Sequence, residues 1–167
     1  GNTMHSFDFD KVEVFRTPSN FANGNTTDNE GNLITCEHGA RRVTKTDHND
    51  VITLIADEYD NKRLNSPNDV CVHSNGTIFF TDPPYGFCDI ANSDPLNAEM
   101  IFVTDFQETP FCGIYHYEYA TGKVSLVSDD MKLPNGIVLS TDQKWIYVGS
   151  SNMKDPKMWR FSTEDGT

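Results

Sequence analysis

Three stretches of the chain can be laid over one another: NGNTTDNEGNLITC from Asn23, NDVCVHSNGTIFFT from Asn68, and NGIVLSTDQKWIYV from Asn135. Each opens on Asn followed by Gly or Asp and runs through a short strand. Each then reaches a polar turn, at Asn29-Glu30-Gly31, Ser74-Asn75-Gly76 and Thr141-Asp142-Gln143, and returns through an apolar strand. The return strands, Leu33 to Cys36, Ile78 to Thr81 and Trp145 to Val148, are short and rich in β-branched or aromatic residues, as buried strands are. The repeating unit is therefore a β-hairpin. Such a unit cannot bury its own apolar face and has to stack on copies of itself.

A second strand pair with more polar alternation follows the hairpin. Arg41 to Thr46 and Val51 to Ala56 flank the turn at Asp47-His48-Asn49-Asp50, and Gly113 to Tyr119 and Lys123 to Val127 flank Ala120-Thr121-Gly122. Two hairpins make one four-stranded blade. The first two repeats are offset by 45 residues, within the ~40 to 50 residues of a propeller blade. The next offset is 67, and the excess is a Pro-, Asn- and Asp-rich stretch from Pro83 to Phe111 that reads as an inserted loop. Loops of that length inside a compact fold are usually functional or mobile.

At the front, His5 to Phe9 and Val12 to Phe15 read as an outer hairpin. At the back, Met158 to Phe161 enters a strand and Glu164-Asp165-Gly166 begins a turn. No segment keeps the i, i+3, i+4, i+7 apolar spacing of a helix. The expected fold class is all-β, a β-propeller. One partial domain spans residues 1–167, open at both ends, with outer strands at 4–16 and blades starting near 22, 65 and 132, the last incomplete. Open blade edges are a liability in such a fold, because unpaired strands invite pairing.

The formal charge of −12 over 167 residues argues against nucleic acid and anionic lipid as partners, since both need a clustered positive surface. No apolar run approaches the ~20 residues needed to span a bilayer, and the N-terminal stretch lacks the tripartite pattern of a signal peptide. A soluble protein is expected, cytoplasmic or periplasmic. Cys36, Cys71, Cys88 and Cys112 show no CxxC pairing, which disfavours a zinc knuckle or thioredoxin motif. Cys36 and Cys71 fall in strand-like runs as small buried thiols. Cys88 and Cys112 flank the long loop, where an oxidising compartment would permit a bridge.

Each repeat begins with its Asn where the chain enters the inner strands, and equivalent positions of a propeller converge on one end of its axis. Asn side-chain oxygens are hard donors suited to calcium or magnesium once carboxylates complete the set. Asn-Gly and Asn-Asp pairs are also favoured turn formers, so spacing alone leaves both readings open.

The run Arg63-Leu-Asn-Ser-Pro-Asn-Asp-Val70, followed by His73-Ser-Asn-Gly-Thr-Ile-Phe-Phe-Thr-Asp-Pro-Pro-Tyr-Gly86, resembles the signature of the gluconolactonase branch of the senescence marker protein, regucalcin and gluconolactonase family. Cys36-Glu-His-Gly-Ala-Arg-Arg-Val43 and Leu133-Pro-Asn-Gly-Ile137 are similar to other characteristic runs of that branch. The resemblance extends from about Asn20 onward. It implies a six-bladed propeller carrying one divalent cation, usually calcium, held by a Glu, two Asn and an Asp from four blades. On that resemblance Asn68 and Asn135 are the two Asn ligands. The family's Glu and its Asp, which is also the base, correspond to positions outside residues 1–167.

The same resemblance implies sugar-lactone hydrolysis to the aldonic acid, with the cation assisting at the carbonyl. The rivals are a phosphotriesterase using a similar site and a non-catalytic calcium-binding or interaction propeller. Arg63 stands where the family often places an arginine on the sugar hydroxyls, a geometry that a guanidinium's fixed donors suit. Asn23, at the repeat position of the two ligands, is expected to donate to substrate, and Tyr85 to border the site. A lone His near a strand end is usually structural, and His38 is expected to lie away from the cavity mouth. Phe79, Phe80, Trp145, Ile146 and Tyr147 lack the basic groove that nucleic-acid stacking requires and are expected in the inter-blade core.

Overall fold

The computed structural model describes residues 1–89, 92–93 and 101–164, so Asp165 and Gly166 of the last expected turn lie outside it. The protein is an all-β partial propeller built from antiparallel sheets. Strands β1 (Met4–Asp8) and β2 (Lys11–Arg16) form a hairpin. A four-stranded sheet follows, in the order β3 (Ala22–Thr27), β4 (Leu33–Glu37), β5 (Arg42–Thr46), β6 (Ile52–Ala56). A small hairpin joins β7 (Glu58–Tyr59) to β8 (Lys62–Arg63). The second four-stranded sheet comprises β9 (Val70–Val72), β10 (Ile78–Asp82), β11 (Gly113–Glu118) and β12 (Lys123–Ser128). A three-stranded sheet, β13 (Pro134–Leu139), β14 (Trp145–Ser150) and β15 (Met158–Ser162), completes the described residues. Among them no helix is long and apolar enough to cross a membrane.

The repeat is visible atom by atom in its turns. The amide of Gly31 donates to Asp28 O, that of Gly76 to His73 O and that of Gln143 to Ser140 O, the same bond in each hairpin. All three donors take a left-handed backbone, with φ of +84°, +92° and +59°. Glycine adopts this without a steric penalty, whereas Gln143 bears a Cβ there. Short polar side chains before and within these turns cap them: Asp28 Oδ1 accepts from the Glu30 and Asn32 amides, Asn75 Oδ1 from Thr77, and Asp142 Oδ1 from Lys144. Neighbouring turns also touch, for Asn29 Nδ2 donates to His73 O and Ser74 O, and the Ser74 amide to Gln143 Oε1.

The strand period of two sends alternate residues of the middle sheet into two different cores. Val70, Ile78, Phe80 and Tyr115 pack with Ile34, Cys36, Val43 and Leu64 of the preceding blade. Cys71, Phe79 and Ile114 pack with Ile137, Ile146, Val148 and Phe161 of the following one. A sheet covered on both faces needs a continuous apolar run, and Ile78 to Asp82 is buried throughout. Of the aromatic residues expected in the inter-blade core, Phe79 and Phe80 are buried together with Ile146. Trp145 and Tyr147 are half-buried on the opposite face of β14, where the Arg160 guanidinium lies over the Trp145 ring.

Cys36 and Cys71 are buried as their strand positions required, and all four cysteines are free thiols, Cys88 and Cys112 included. Of the inserted stretch, the described parts are 3-10 turns at Tyr85–Phe87 and Thr104–Phe106 and a backbone bridge between Cys88 and Phe102. The Phe80 ring, fully buried, stacks on Tyr115 with centroids 5.4 Å apart. Phe80→Ala in the full-length protein is expected to cost about 3–5 kcal/mol through lost burial and the cavity left behind. Chemical denaturation followed by tryptophan fluorescence measures it, and a cost under about 1 kcal/mol would contradict this packing.

Candidate active site

The segment from Leu64 to Pro67 is buried although half its side chains are polar. Burial of that kind requires every polar group to find a partner, and the surrounding motifs provide them. The Asn65 amide donates to Asp82 Oδ2 at 2.7 Å, its side-chain Nδ2 to the Asp82 and Phe111 carbonyls, and its Oδ1 accepts from Thr109. Arg41, packed over the Phe87 ring, gives its Nε to the carbonyls of Leu64 and Asn65. Ser66 Oγ donates to Pro83 O and accepts from the Gly86 amide, which fastens the Asp82–Gly86 loop onto this segment. Glu37, fully buried, takes the guanidinium groups of Arg16 and Arg42 together with Asn20 and Thr44. The sequence motifs thus act as a scaffold whose product is the placement of Asn68 and Tyr85.

Asn68 and Asn23 meet over one imidazole. His38 Nε2 lies 3.1 Å from Asn23 Nδ2 and 3.5 Å from Asn68 Nδ2. An amide Nδ2 can only donate, so a hydrogen bond from Asn23 at 3.1 Å requires Nε2 as acceptor, with the proton of a neutral ring on Nδ1. Burial lowers the His38 pKa, which favours the same neutral form. The expectation that His38 sits away from the site therefore does not hold, because the bend after β4 folds it back over the entrance to β3, its amide bonded to Phe21 O.

Tyr85 and Asn135 converge on a second group, Ser151. The Tyr85 hydroxyl contacts Ser151 Oγ, and Asn135 Nδ2 donates to the same oxygen at 3.4 Å. Ser151 in turn donates to Leu133 O. The two halves are joined through Thr81, whose carbonyl accepts the Asn68 amide and whose Oγ1 donates to Asn135 O at 2.7 Å. Arg63 is not part of this cluster. It lies exposed in β8, its guanidinium donating to Ala40 O and its amide to Glu108 Oε2.

Sequence reasoning missed Ser151 and Thr81. Ser151 belongs to no motif beyond the end of β14, and Thr81 reads as one more residue of an apolar strand. Only the fold shows that each faces a neighbouring blade.

Among the described residues, no group of three or more His, Cys, Asp or Glu comes together as a metal cluster. The polar side chains gathered around His38 and Ser151 are neutral amides and hydroxyls. Neither Asn68 Oδ1 nor Asn135 Oδ1 accepts a hydrogen bond from a described residue, since each amide uses Nδ2 toward its neighbour. Two unengaged hard oxygen donors on adjacent blades fit a cation such as calcium.

Fold and site together define a propeller in which amide and hydroxyl groups of adjacent blades are hydrogen-bonded to one another. The chain belongs to the SMP-30/gluconolactonase/LRE-like family, whose model matches residues 1–167. It is 30% identical over 151 residues to a gluconolactonase of Zymomonas mobilis, covering 90% of this chain and 38% of that protein. A solved gluconolactonase of Xanthomonas campestris superposes with a TM-score of 0.77 at 31% identity, covering 93% of this chain and 49% of that one. A chain of a nidogen/laminin complex superposes with a TM-score of 0.66 at 18% identity, a likeness of fold alone. The chain thus spans between about two fifths and half the length of the two gluconolactonases.

Asp82, at the base of this scaffold, is completely buried and its Oδ1 has no partner. Burial pushes its carboxyl from the ordinary 3.8 up to about 7, against the opposing pull of the Asn65 and Ser66 amides and of Arg41. The folded state therefore holds a proton that the unfolded chain releases, so Asp82's contribution to stability declines as pH rises from about 4 to about 7. Relative to Asp82→Asn, wild-type protein is expected to lose up to about 1.4 kcal/mol of stability per pH unit across that window. Urea midpoints at several pH values measure the difference, and parallel pH profiles for the two proteins would refute it.

Proposed function

We propose that the complete protein hydrolyses a sugar lactone to its aldonic acid with the help of a divalent cation, calcium, to which Asn68 and Asn135 contribute side-chain oxygens. The observation that carries this reading is the pair of unengaged amide oxygens on two blades held together through Thr81. Family membership and the two gluconolactonase relatives support the choice of a lactone over a phosphotriester. On this reading residues 1–167 supply about half of a six-bladed ring, with blades starting near 22, 65 and 132.

Within the site Asn68 and Asn135 present neutral oxygens, leaving the charged ligands and the general base to carboxylates outside residues 1–167. When bound, the cation supplies Lewis acidity that offsets negative charge developing on the lactone carbonyl oxygen. Asn23 and Tyr85 stand beside the two ligands as donors for the sugar hydroxyls, replacing with substrate the bonds they now make to His38 and Ser151. Neutral His38 keeps an acceptor available to a hydroxyl proton. The assignment is not extended to Arg63, whose guanidinium is committed to the Ala40 carbonyl.

In the full-length protein, Asn68→Ala and Asn135→Ala are each expected to lower calcium-dependent lactone hydrolysis at least about 100-fold and to weaken calcium binding in calorimetry, with circular dichroism unchanged. Chelation should silence the wild type and added calcium restore it. Turnover near wild type in either variant would overturn the ligand assignment, and hydrolysis of phosphotriesters but not lactones would overturn the substrate.

A further inference from the structure

Two inner strands are irregular where a repeat Asn falls, at Asn23 and at Asn135. Pairing of β3 with β4 slips between Ala22 and Asn25, and pairing of β13 with β14 slips between Pro134 and Ile137. A bulge of this kind re-aims side chains and leaves backbone groups without ladder partners. Here the freed groups are answered by the adjacent blade. The Gly24 amide donates to Asn68 O at 2.8 Å, Asn135 O accepts from Thr81 Oγ1, and the Ile137 amide donates to Asp69 Oδ2 at 2.9 Å. The approach is close enough that a Cβ on Gly24 would fall 2.5 Å from Asn68 O and from Asp69 Cα.

Among the described residues, Thr81 is the one whose bonds reach both proposed ligands. It is fully buried in β10. Its carbonyl accepts the Asn68 amide at 2.8 Å and its amide donates to Asp69 O at 3.0 Å. A hydroxyl carries a single proton, and Thr81 directs it to Asn135 O. Thr81 Oγ1 in turn accepts the Asp69 amide at 3.2 Å. Asp69 closes the circuit by gripping Ile137, two residues beyond Asn135. The backbone of Asn68 is in this way tied to the backbone around Asn135 by two side chains of one blade, Thr81 and Asp69, that reach backbone groups of the next.

We propose that Thr81, with Asp69 as its partner, is a positioning residue that fixes the separation of the Asn68 and Asn135 side chains and so sets the affinity of the site for its cation. The inference rests on the ligand reading above. Thr81 touches neither cation nor substrate and acts only through the two asparagines. Loss of such a supporting bond typically lowers metal affinity by about 10–100-fold.

The test uses Thr81→Val, which keeps shape and removes the hydroxyl, and Thr81→Ser, which keeps the hydroxyl, both in the full-length protein. Calorimetric calcium titration of the chelator-stripped proteins is the primary readout, with Tm measured without calcium and kcat and KM at saturating calcium. The expected result is a calcium affinity at least about 10-fold weaker for Thr81→Val and within about threefold of wild type for Thr81→Ser. Affinity unchanged in Thr81→Val while its Tm falls would show a purely structural bond and overturn the proposal. Should Thr81→Val not fold, Asp69→Glu keeps the charge and displaces the acceptor for Ile137. It is expected to weaken calcium binding about 10-fold, and unchanged affinity there counts equally against the proposal. Asn68→Ala separates the two levels: calcium binding intact in that variant removes the ligand reading and this inference with it. Binding abolished in Asn68→Ala but intact in Thr81→Val removes the positioning role alone.

Discussion

A buried backbone group that leaves its sheet ladder has to be satisfied somewhere else, and the rest of this structure depends on how that is done at the inner strands. The bulges at the start of β3 and of β13 release carbonyls and amides beside the neighbouring blade. Those groups bond to the blade between them through Asn68, Asp69 and Thr81. The irregularity at Asn23 and Asn135 is therefore also what joins the blades. Apolar packing alone could hold the sheets face to face, but it is tolerant of sliding. The directional bonds between bulged strands fix the register, and with it the placement of the amides.

The same logic explains why so much of the polar chemistry in the motifs is spent away from the site. Pro67 delivers Asn68 from a segment buried on all sides, and the cost of burying its polar groups is offset by Asp82, Arg41, Thr109 and the Asp82–Gly86 loop. Arg41 itself has a left-handed backbone, φ +58°, at the turn between β4 and β5, where its guanidinium can reach across to the Leu64 and Asn65 carbonyls. A charged side chain in that role holds carbonyls from several directions at once, which a lysine's point charge would not match.

The sheets were legible in the sequence because hairpins are local. Polar turns and apolar returns separated by a few residues dictated β4, β10 and β14, with Leu33 to Cys36 extending by only one residue to Glu37. The β7–β8 hairpin escaped, since strands of two residues carry no period to detect. Asn68, Asn135, Asn23 and Tyr85 could be singled out from motif or repeat position, whereas their partners could not. Tyr85 and Ser151 are 66 residues apart, and Thr81 and Asn135 are 54 apart. Contacts across a blade boundary depend on how sheets stack, which no local pattern encodes. His38 illustrates the limit, for its strand-end position suggested a structural role until the bend after β4 brought it onto two amides.

The acids nearest the site also decide what the proposed cation would need. Asp69 spends Oδ2 on the Ile137 amide, and Glu37 is enclosed by two guanidinium groups. Asp82 is buried beneath the Asn65 segment and keeps its proton up to about pH 7. Each of these acids thus bonds to groups of the frame, while Asn68, Asn135, Asn23 and Tyr85 are neutral. Two amide oxygens can select an oxygen-seeking cation but cannot balance its charge. On the lactonase reading the charge balance, like the base that activates water, has to be delivered by blades beyond residues 1–167. The described residues then supply the part of the centre that sets geometry: neutral ligands held at a fixed separation, with hydrogen-bonding groups on either side of them.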